Sequence, residues 1–153
     1  MKKSIVAFLV VLSVGVKAQE ANLIWHTDLG PAVDKAIAEE KPLFLFFTGS
    51  DWCGWCKRLQ REVFVKPEFV EWANKNVVLM ELDFPRRTAQ PEELKTQNMN
   101  IMRMFGVRGY PTVWFVNPSK EESKINFGKI GSTGYVAGGP DAWIAAANKI
   151  IQP

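Results

Sequence analysis

This sequence predicts an α/β domain with a central mixed sheet flanked by helices on both faces. Three observations predict it. Short apolar runs suited to strands alternate with segments of helical period, the pattern of β-α-β units. One run, Leu43-Phe44-Leu45-Phe46-Phe47, has no polar side to show to solvent, so it belongs in a sheet covered on both faces. The two cysteines of the 153 residues, Cys53 and Cys56, follow that run closely, where an open α/β sheet carries its reactive groups.

At the N-terminus, Lys2 and Lys3 precede an almost unbroken apolar stretch from Ile5 to Val16, and Val16-Lys17-Ala18 offers a small-residue cleavage site. That is the order of a secretory signal, and the stretch falls short of the roughly 20 residues of a membrane span. Residues 1–18 are therefore expected to be removed as a signal peptide. Residues 19–153 are left as one domain, periplasmic or secreted, with no stable membrane insertion. Lys2, Lys3 and Lys17 account for the whole formal charge of +3, so the remaining domain is neutral. Nothing in that balance suggests nucleic acid. No repeat or linker divides the domain, and two cysteines are too few to staple a scaffold. The core stands by packing, which leaves the pair free for chemistry.

In order, Asp28 to Glu40 reads as a helix, with Leu29, Val33, Ala36 and Ile37 at helical spacing. Pro42 introduces the first strand, Leu43 to Phe47. After Thr48-Gly49-Ser50-Asp51 comes Trp52-Cys53-Gly54-Trp55-Cys56, then a helix from Lys57 to Phe64. Its continuation, Pro67 to Asn74, carries Phe69, Val70 and Trp72. Val77 to Leu82 is a second strand, and Phe84 to Gln90 a loop rich in Pro and Arg. Pro91 to Phe105 is a helix with Pro in its first turn. Thr112 to Val116 is a third strand, and Ile125 to Ile130 a weaker one bounded by glycines. A closing helix, Asp141 to Ile151, follows the break at Gly138-Gly139-Pro140.

Two thiols two residues apart form either a redox-active disulfide or half of a metal site. A structural zinc takes four ligands, and the chain offers two cysteines and one histidine, His26. The redox reading leads. His26 precedes the first helix, and no hydrolase pattern accompanies it, so its role is structural or at the surface. The thiolate, not the thiol, attacks a disulfide sulfur. Cys53, at a helix start, meets unpaired N–H groups and the positive end of the helix dipole, which makes it the nucleophile. Cys56, one turn further on, is the resolving thiol. No histidine stands between them, so the thiolate is moderately rather than extremely stabilised. Trp52 is expected to wall the site, Gly54 to allow tight backbone packing, and Trp55 to offer an exposed apolar face to partners. Lys57 and the Pro85-Arg86-Arg87 turn read as solvated surface.

The segment Leu43 to Lys57, Asp83 after the next strand, and Phe105-Gly106-Val107-Arg108-Gly109-Tyr110-Pro111-Thr112 together resemble the thioredoxin-fold family. The resemblance covers nearly all of residues 19–153. The Gly49-Ser50-Asp51 lead-in to the cysteines, with Gly134-Tyr135 and Gly138-Gly139-Pro140, resembles exported bacterial members. It implies a thioredoxin fold and a cis Tyr110–Pro111 bond packed against the disulfide, with Tyr110 contributing backbone groups to substrate binding. It also implies cysteine-containing protein substrates, a separate redox partner, no cofactor and no metal. One departure stands out: the acid that the family buries six residues before the first cysteine, to take the proton of the resolving thiol, is here Phe47, which leaves that proton to water or to another acid, Glu81 and Asp83 being the candidates. The expected function is a thiol–disulfide oxidoreductase, leaning to reductase or isomerase. The alternative is a binding module that holds a soft metal or a protein partner without redox turnover.

Overall fold

The computed structural model describes residues 22–152, so the expected signal peptide lies outside the described residues. The elements are β1 (Trp25–His26), α1 (Leu29–Ala38), β2 (Leu43–Thr48), α2 (Gly54–Leu59) running on into a π-helical turn (Gln60–Phe64), α3 (Pro67–Asn76), β3 (Val78–Asp83), α4 (Glu92–Phe105), β4 (Thr112–Glu121), β5 (Lys124–Thr133) and α5 (Gly139–Ile151). They form one mixed sheet of order β1-β3-β2-β4-β5. Strands β1 and β2 run parallel to β3, and β4 runs antiparallel to both β2 and β5.

The apolar run becomes β2, the central strand, with every residue buried. Its pleat splits the core in two. Phe44 and Phe46 face a cluster with Cys53, Cys56, Leu59, Phe64, Phe69, Trp72 and Trp143, supplied by α2, α3 and α5. Leu43, Leu45 and Phe47 face the other way, into a cluster with Val33, Met80, Leu82, Ile101 and Phe105 under α1 and α4. Helices therefore cover both faces, as the sequence predicts.

Three elements depart from the sequence reading. Strand β1 is two residues long, too short to leave a periodic signal, and exists by pairing Trp25 and His26 with Leu79 and Met80. The expected helix from Lys57 to Phe64 starts earlier, at Gly54, and loosens into the π turn. The late hairpin is longer than expected: β4 continues past Val116 and β5 runs through Gly128 and Gly131. Beyond Val116, strand β4 has left β2 behind and pairs with β5 alone. Pro118 sits in that free arm, where a missing backbone donor on the open side costs no ladder bond.

Candidate active site

The chain leaves β2 at Thr48 and turns through Gly49, Ser50 and Asp51 into the cysteines. The N–H groups of Trp52 and Cys53 both donate to the Gly49 carbonyl, at 3.2 and 2.8 Å. A Cβ on Gly49 would stand 2.4 Å from the Trp52 ring, so glycine alone lets that ring close over the turn. Ser50 donates its N–H and its hydroxyl to Asp83, at 2.8 and 2.5 Å. Asp51 reaches across to the loop at residues 84–90. Its carboxylate accepts the N–H groups of Arg86 at 3.0 Å, Arg87 at 2.7 Å and Thr88 at 2.9 Å. Those donors, Arg86 foremost, favour the charged carboxylate and hold its pKa down at about 2.

Cys53 caps α2 and is joined to Cys56 by a disulfide with an S–S distance of 2.10 Å. The Cys56 N–H donates to the Cys53 sulfur at 3.2 Å. The two sulfurs are not equivalent: Cys53 keeps 5% of its surface exposed and Cys56 none. The Tyr110–Pro111 bond is cis, as expected. Because β2 pairs with β4 so that Phe47 opposes Thr112, Pro111 lies at the same end of the sheet as the cysteine turn.

Two aromatic walls flank the disulfide. On one side, the half-buried Trp52 donates its indole N–H to the Phe84 carbonyl at 2.8 Å and meets Tyr110 edge-on, ring centres 5.6 Å apart. Phe84 continues this wall, 5.5 Å from Tyr110. The Arg86 guanidinium lies 3.6 Å above the Trp52 ring. On the other side, Trp55 is 55% exposed and sits 5.1 Å from Tyr135. Arg58 stacks against both rings at 5.2 and 5.1 Å, and pairs with Glu62 at 2.7 Å. The Tyr135 hydroxyl donates to the same Glu62 carboxylate.

The fold gathers Cys53, Cys56, Trp52, Gly54, Trp55 and Tyr110 around one centre, and the expected exposure of Trp55 is observed. Two expectations need correction. Gly54 is not a site of tight packing: a Cβ there would meet nothing within 4 Å, because this first residue of α2 faces outward. Phe47 does not lie beneath the cysteines, since it belongs to the opposite cluster, 6.3 Å from Phe105. The rings of β2 on the cysteine face are Phe44 and Phe46, and Glu81 stands beside Phe46 in the register of β2 and β3.

The two acids singled out from the sequence separate accordingly. Asp83 is engaged with Ser50. Glu81 is half-buried and lines a cavity of about 410 Å³ with Trp25, Phe46, Ser50, Gln60 and Phe64. Burial, and behind it the charge of Asp83, raises its carboxyl above the ordinary range. His26 lies in β1, and its buried Nε2 has no hydrogen-bond partner among the described residues, nor has the buried hydroxyl of Thr48. Among those residues, no group of three or more His, Cys, Asp or Glu side chains is gathered as a metal site. Sequence reasoning missed the anchoring role of Asp51 and the partnership of Arg58, Glu62 and Tyr135. The (i, i+4) spacing of Arg58 and Glu62 was the one local signal available.

A disulfide between Cys53 and Cys56, set at the head of a helix and at the same end of a mixed sheet as a cis proline, defines a dithiol–disulfide centre. The thioredoxin-like domain family matches residues 29–126, and the chain belongs to it. The disulfide bond reductase DsbH of Chlamydia pneumoniae is 34% identical over 118 residues, spanning 76% of this chain and 70% of that protein. The thioredoxin-related protein DsbJ of the same organism is 32% identical over 117 residues, 76% of this chain but 32% of its own length. Among solved structures, a DsbH oxidoreductase superposes with a TM-score of 0.75 at 29% identity, covering 86% of each chain. A Thermus thermophilus thioredoxin follows the same fold with a TM-score of 0.58 at 14% identity, over 84% of this chain and 86% of its own. The chain is a thiol–disulfide oxidoreductase of the thioredoxin fold.

Proposed function

We propose that this chain reduces disulfides in protein substrates outside the cytoplasm, with Cys53 as nucleophile and Cys56 as resolving thiol. The observation that carries the reading is the asymmetry of the pair: Cys53 is the sulfur with exposed surface, at the helix cap, and Cys56 is sealed behind it. In the reduced protein, the Cys53 thiolate attacks one sulfur of the substrate disulfide and releases the other as a thiolate. Cys56 then gives up its proton and attacks the Cys53 sulfur, which closes the intramolecular disulfide and frees the second substrate thiolate. Two electrons pass from the dithiol to the substrate, so a dithiol partner must return them before the next cycle.

Glu81 takes the proton from Cys56. Support for this role comes from its place on the cysteine face of the sheet, its open cavity to solvent and its raised pKa. The reductive direction is supported by the Gly54-Trp55 spacer, which places no cation between the cysteines. It is supported also by the likeness to a relative named a disulfide bond reductase. The potential expected is nearer the thioredoxin value of about −270 mV than the strongly oxidising value of about −120 mV. Residues 1–18 supply the export signal on this reading, and no helix among the described residues is long and apolar enough to cross a membrane.

A Cys56→Ser variant incubated with disulfide-bonded substrates tests the assignment. It should accumulate mixed disulfides through Cys53, while Cys53→Ser accumulates none. Equal trapping by both variants would overturn the roles. An equilibrium with glutathione near −120 mV would overturn the direction.

A further inference from the structure

The acids and the cations around the disulfide are disposed differently. Asp51 is occupied by three backbone N–H groups, Asp83 by Ser50, and Glu62 by Arg58 and Tyr135. Lys57, Arg61, Arg86 and Arg87 are exposed, and their side chains make no ion pair among the described residues. Arg86 covers Trp52 on one side of the cysteines. On the other side, Gly54, Trp55, Arg58 and Arg61 line an open groove of about 240 Å³. Lys57, Arg58, Arg61, Arg86 and Arg87 thus stand around the disulfide against the carboxylates of Asp51, Glu62, Glu81 and Asp83, so a domain of neutral overall charge carries a small surplus of positive charge there, borne on guanidinium groups beside the aromatic walls.

We infer that the polypeptide accepted at this centre is acidic, with carboxylate side chains flanking its cysteine or disulfide. One carboxylate fits the groove between Arg58 and Arg61, where a planar guanidinium offers paired donors to it. A second, on the far side of the substrate sulfur, meets Arg86, whose guanidinium carbon lies 3.6 Å over the Trp52 ring and so is already placed before binding. The loop bearing Arg86 is tied at its backbone by Asp51, so this cation is fixed relative to Cys53, two residues away from that carboxylate. The aromatic rings give contact area to any extended chain, and the arginines select among chains by charge. This inference rests on the redox reading above and adds the class of substrate to it.

The test uses two disulfide-linked peptides of one length and aromatic content, one with Glu and the other with Lys on both sides of its cysteines. Their reduction by the reduced protein is followed beside that of a small neutral disulfide. The Glu peptide should react about tenfold faster than the Lys peptide at low salt. The gap should close near 1 M salt, where charges are screened beyond about 3 Å. In an Arg61→Gln/Arg86→Gln double variant the Glu-to-Lys rate ratio should fall toward one, while the double Lys variant keeps most of it. Binding of the same peptides with Ser in place of Cys, measured by calorimetry, should show the same order. Equal rates and affinities, a preference for the Lys peptide, or a ratio untouched by the double Gln variant would each overturn the inference. A protein that ranks the Ser peptides as expected yet fails to reduce the neutral disulfide would overturn the redox reading and leave the acidic preference standing.

Discussion

The face of the sheet that carries the cysteines is packed with rings, whereas the face under α1 and α4 is largely aliphatic. On the first, Phe44 stands between 5.4 and 6.1 Å from Trp25, Phe64, Phe69, Phe115 and Trp143. Two of the ring donors there are tied off, Trp143 to the Gly134 carbonyl at 3.0 Å and Trp72 to Asn148 at 2.8 Å. On the second, Leu43, Leu45, Met80, Leu82 and Val116 meet a smaller ring group around Phe105. Rings have few rotamers and prefer definite edge and tilt geometries, worth about 0.5–1.5 kcal/mol per pair beyond their area. The difference teaches a division of labour. The ringed face fixes where the cysteine helix sits, and the aliphatic face supplies bulk burial that tolerates repacking.

The largest expected effect tests that division. Phe44→Ala should cost about 4 kcal/mol, near the top of the range for buried truncation, since the stiff rings around it cannot close the hole. Leu45→Ala, one residue on and on the other face, should cost about 2–3 kcal/mol because Met80 and its neighbours relax into the gap. Denaturant midpoints for the two variants measure the contrast. Equal costs would break the comparison.

How much of this was legible in the sequence depends on what each segment had to bury. Strands β2 and β3 read clearly because both are nearly continuous apolar runs. The same uniformity hid the facing of Phe47: when every residue of a run is apolar, the pattern cannot say which ones point at the cysteines. Only the register of β2 with β3 and β4 decides it. The outer arm of the late hairpin was invisible because it lies beyond the covered sheet and carries Lys, Glu and Ser like any loop. The cysteine pair was legible by count alone. Arg86 was not, since its position comes from Asp51 across 35 residues of chain rather than from a local rule.

A middle-sized effect concerns acids on the two faces. Glu81 sits on the ringed face with a carboxyl raised by burial, so ionising it opposes folding. Its contribution to stability is complete below the ordinary carboxylate value of about 4.3 and is lost as pH rises through the raised value. Glu81→Gln should therefore be more stable than the parent at pH 7, with the gap vanishing in acid. The same variant should slow closure of the Cys53–Cys56 disulfide about tenfold near neutral pH and flatten its pH dependence. Phe47→Asp places an acid on the opposite face. It should destabilise without speeding that closure, because its carboxyl is cut off from Cys56 by the sheet. Stopped-flow tryptophan fluorescence against pH reads all three proteins, and an unchanged profile for Glu81→Gln would remove Glu81 from the reaction.

The smallest effect belongs to the outer rim of the ringed face, where the packing gives way to hydrogen bonds. Asp51 holds the loop at residues 84–90 through the N–H groups of Arg86, Arg87 and Thr88, and these donors depress its pKa to about 2. A depressed carboxyl stabilises the folded form above its ordinary pKa, and the contribution fades as pH falls toward about 2. Asp51→Asn removes the charge and one acceptor oxygen while keeping the shape. Since Asp51 lies at the rim, outside both core clusters, the variant should leave global stability almost unchanged, yet exchange of those three amide hydrogens should quicken several-fold at neutral pH. The parent should reach the same rapid exchange, relative to other amides, only in strong acid. With the loop loosened, Arg86 is no longer held over Trp52, and the quenching of that indole should change with it. Unaltered exchange at Arg86, Arg87 and Thr88 would mean that the loop is held instead by the bonds at Phe84, whose carbonyl accepts from the Trp52 indole and whose N–H donates to the Thr48 carbonyl.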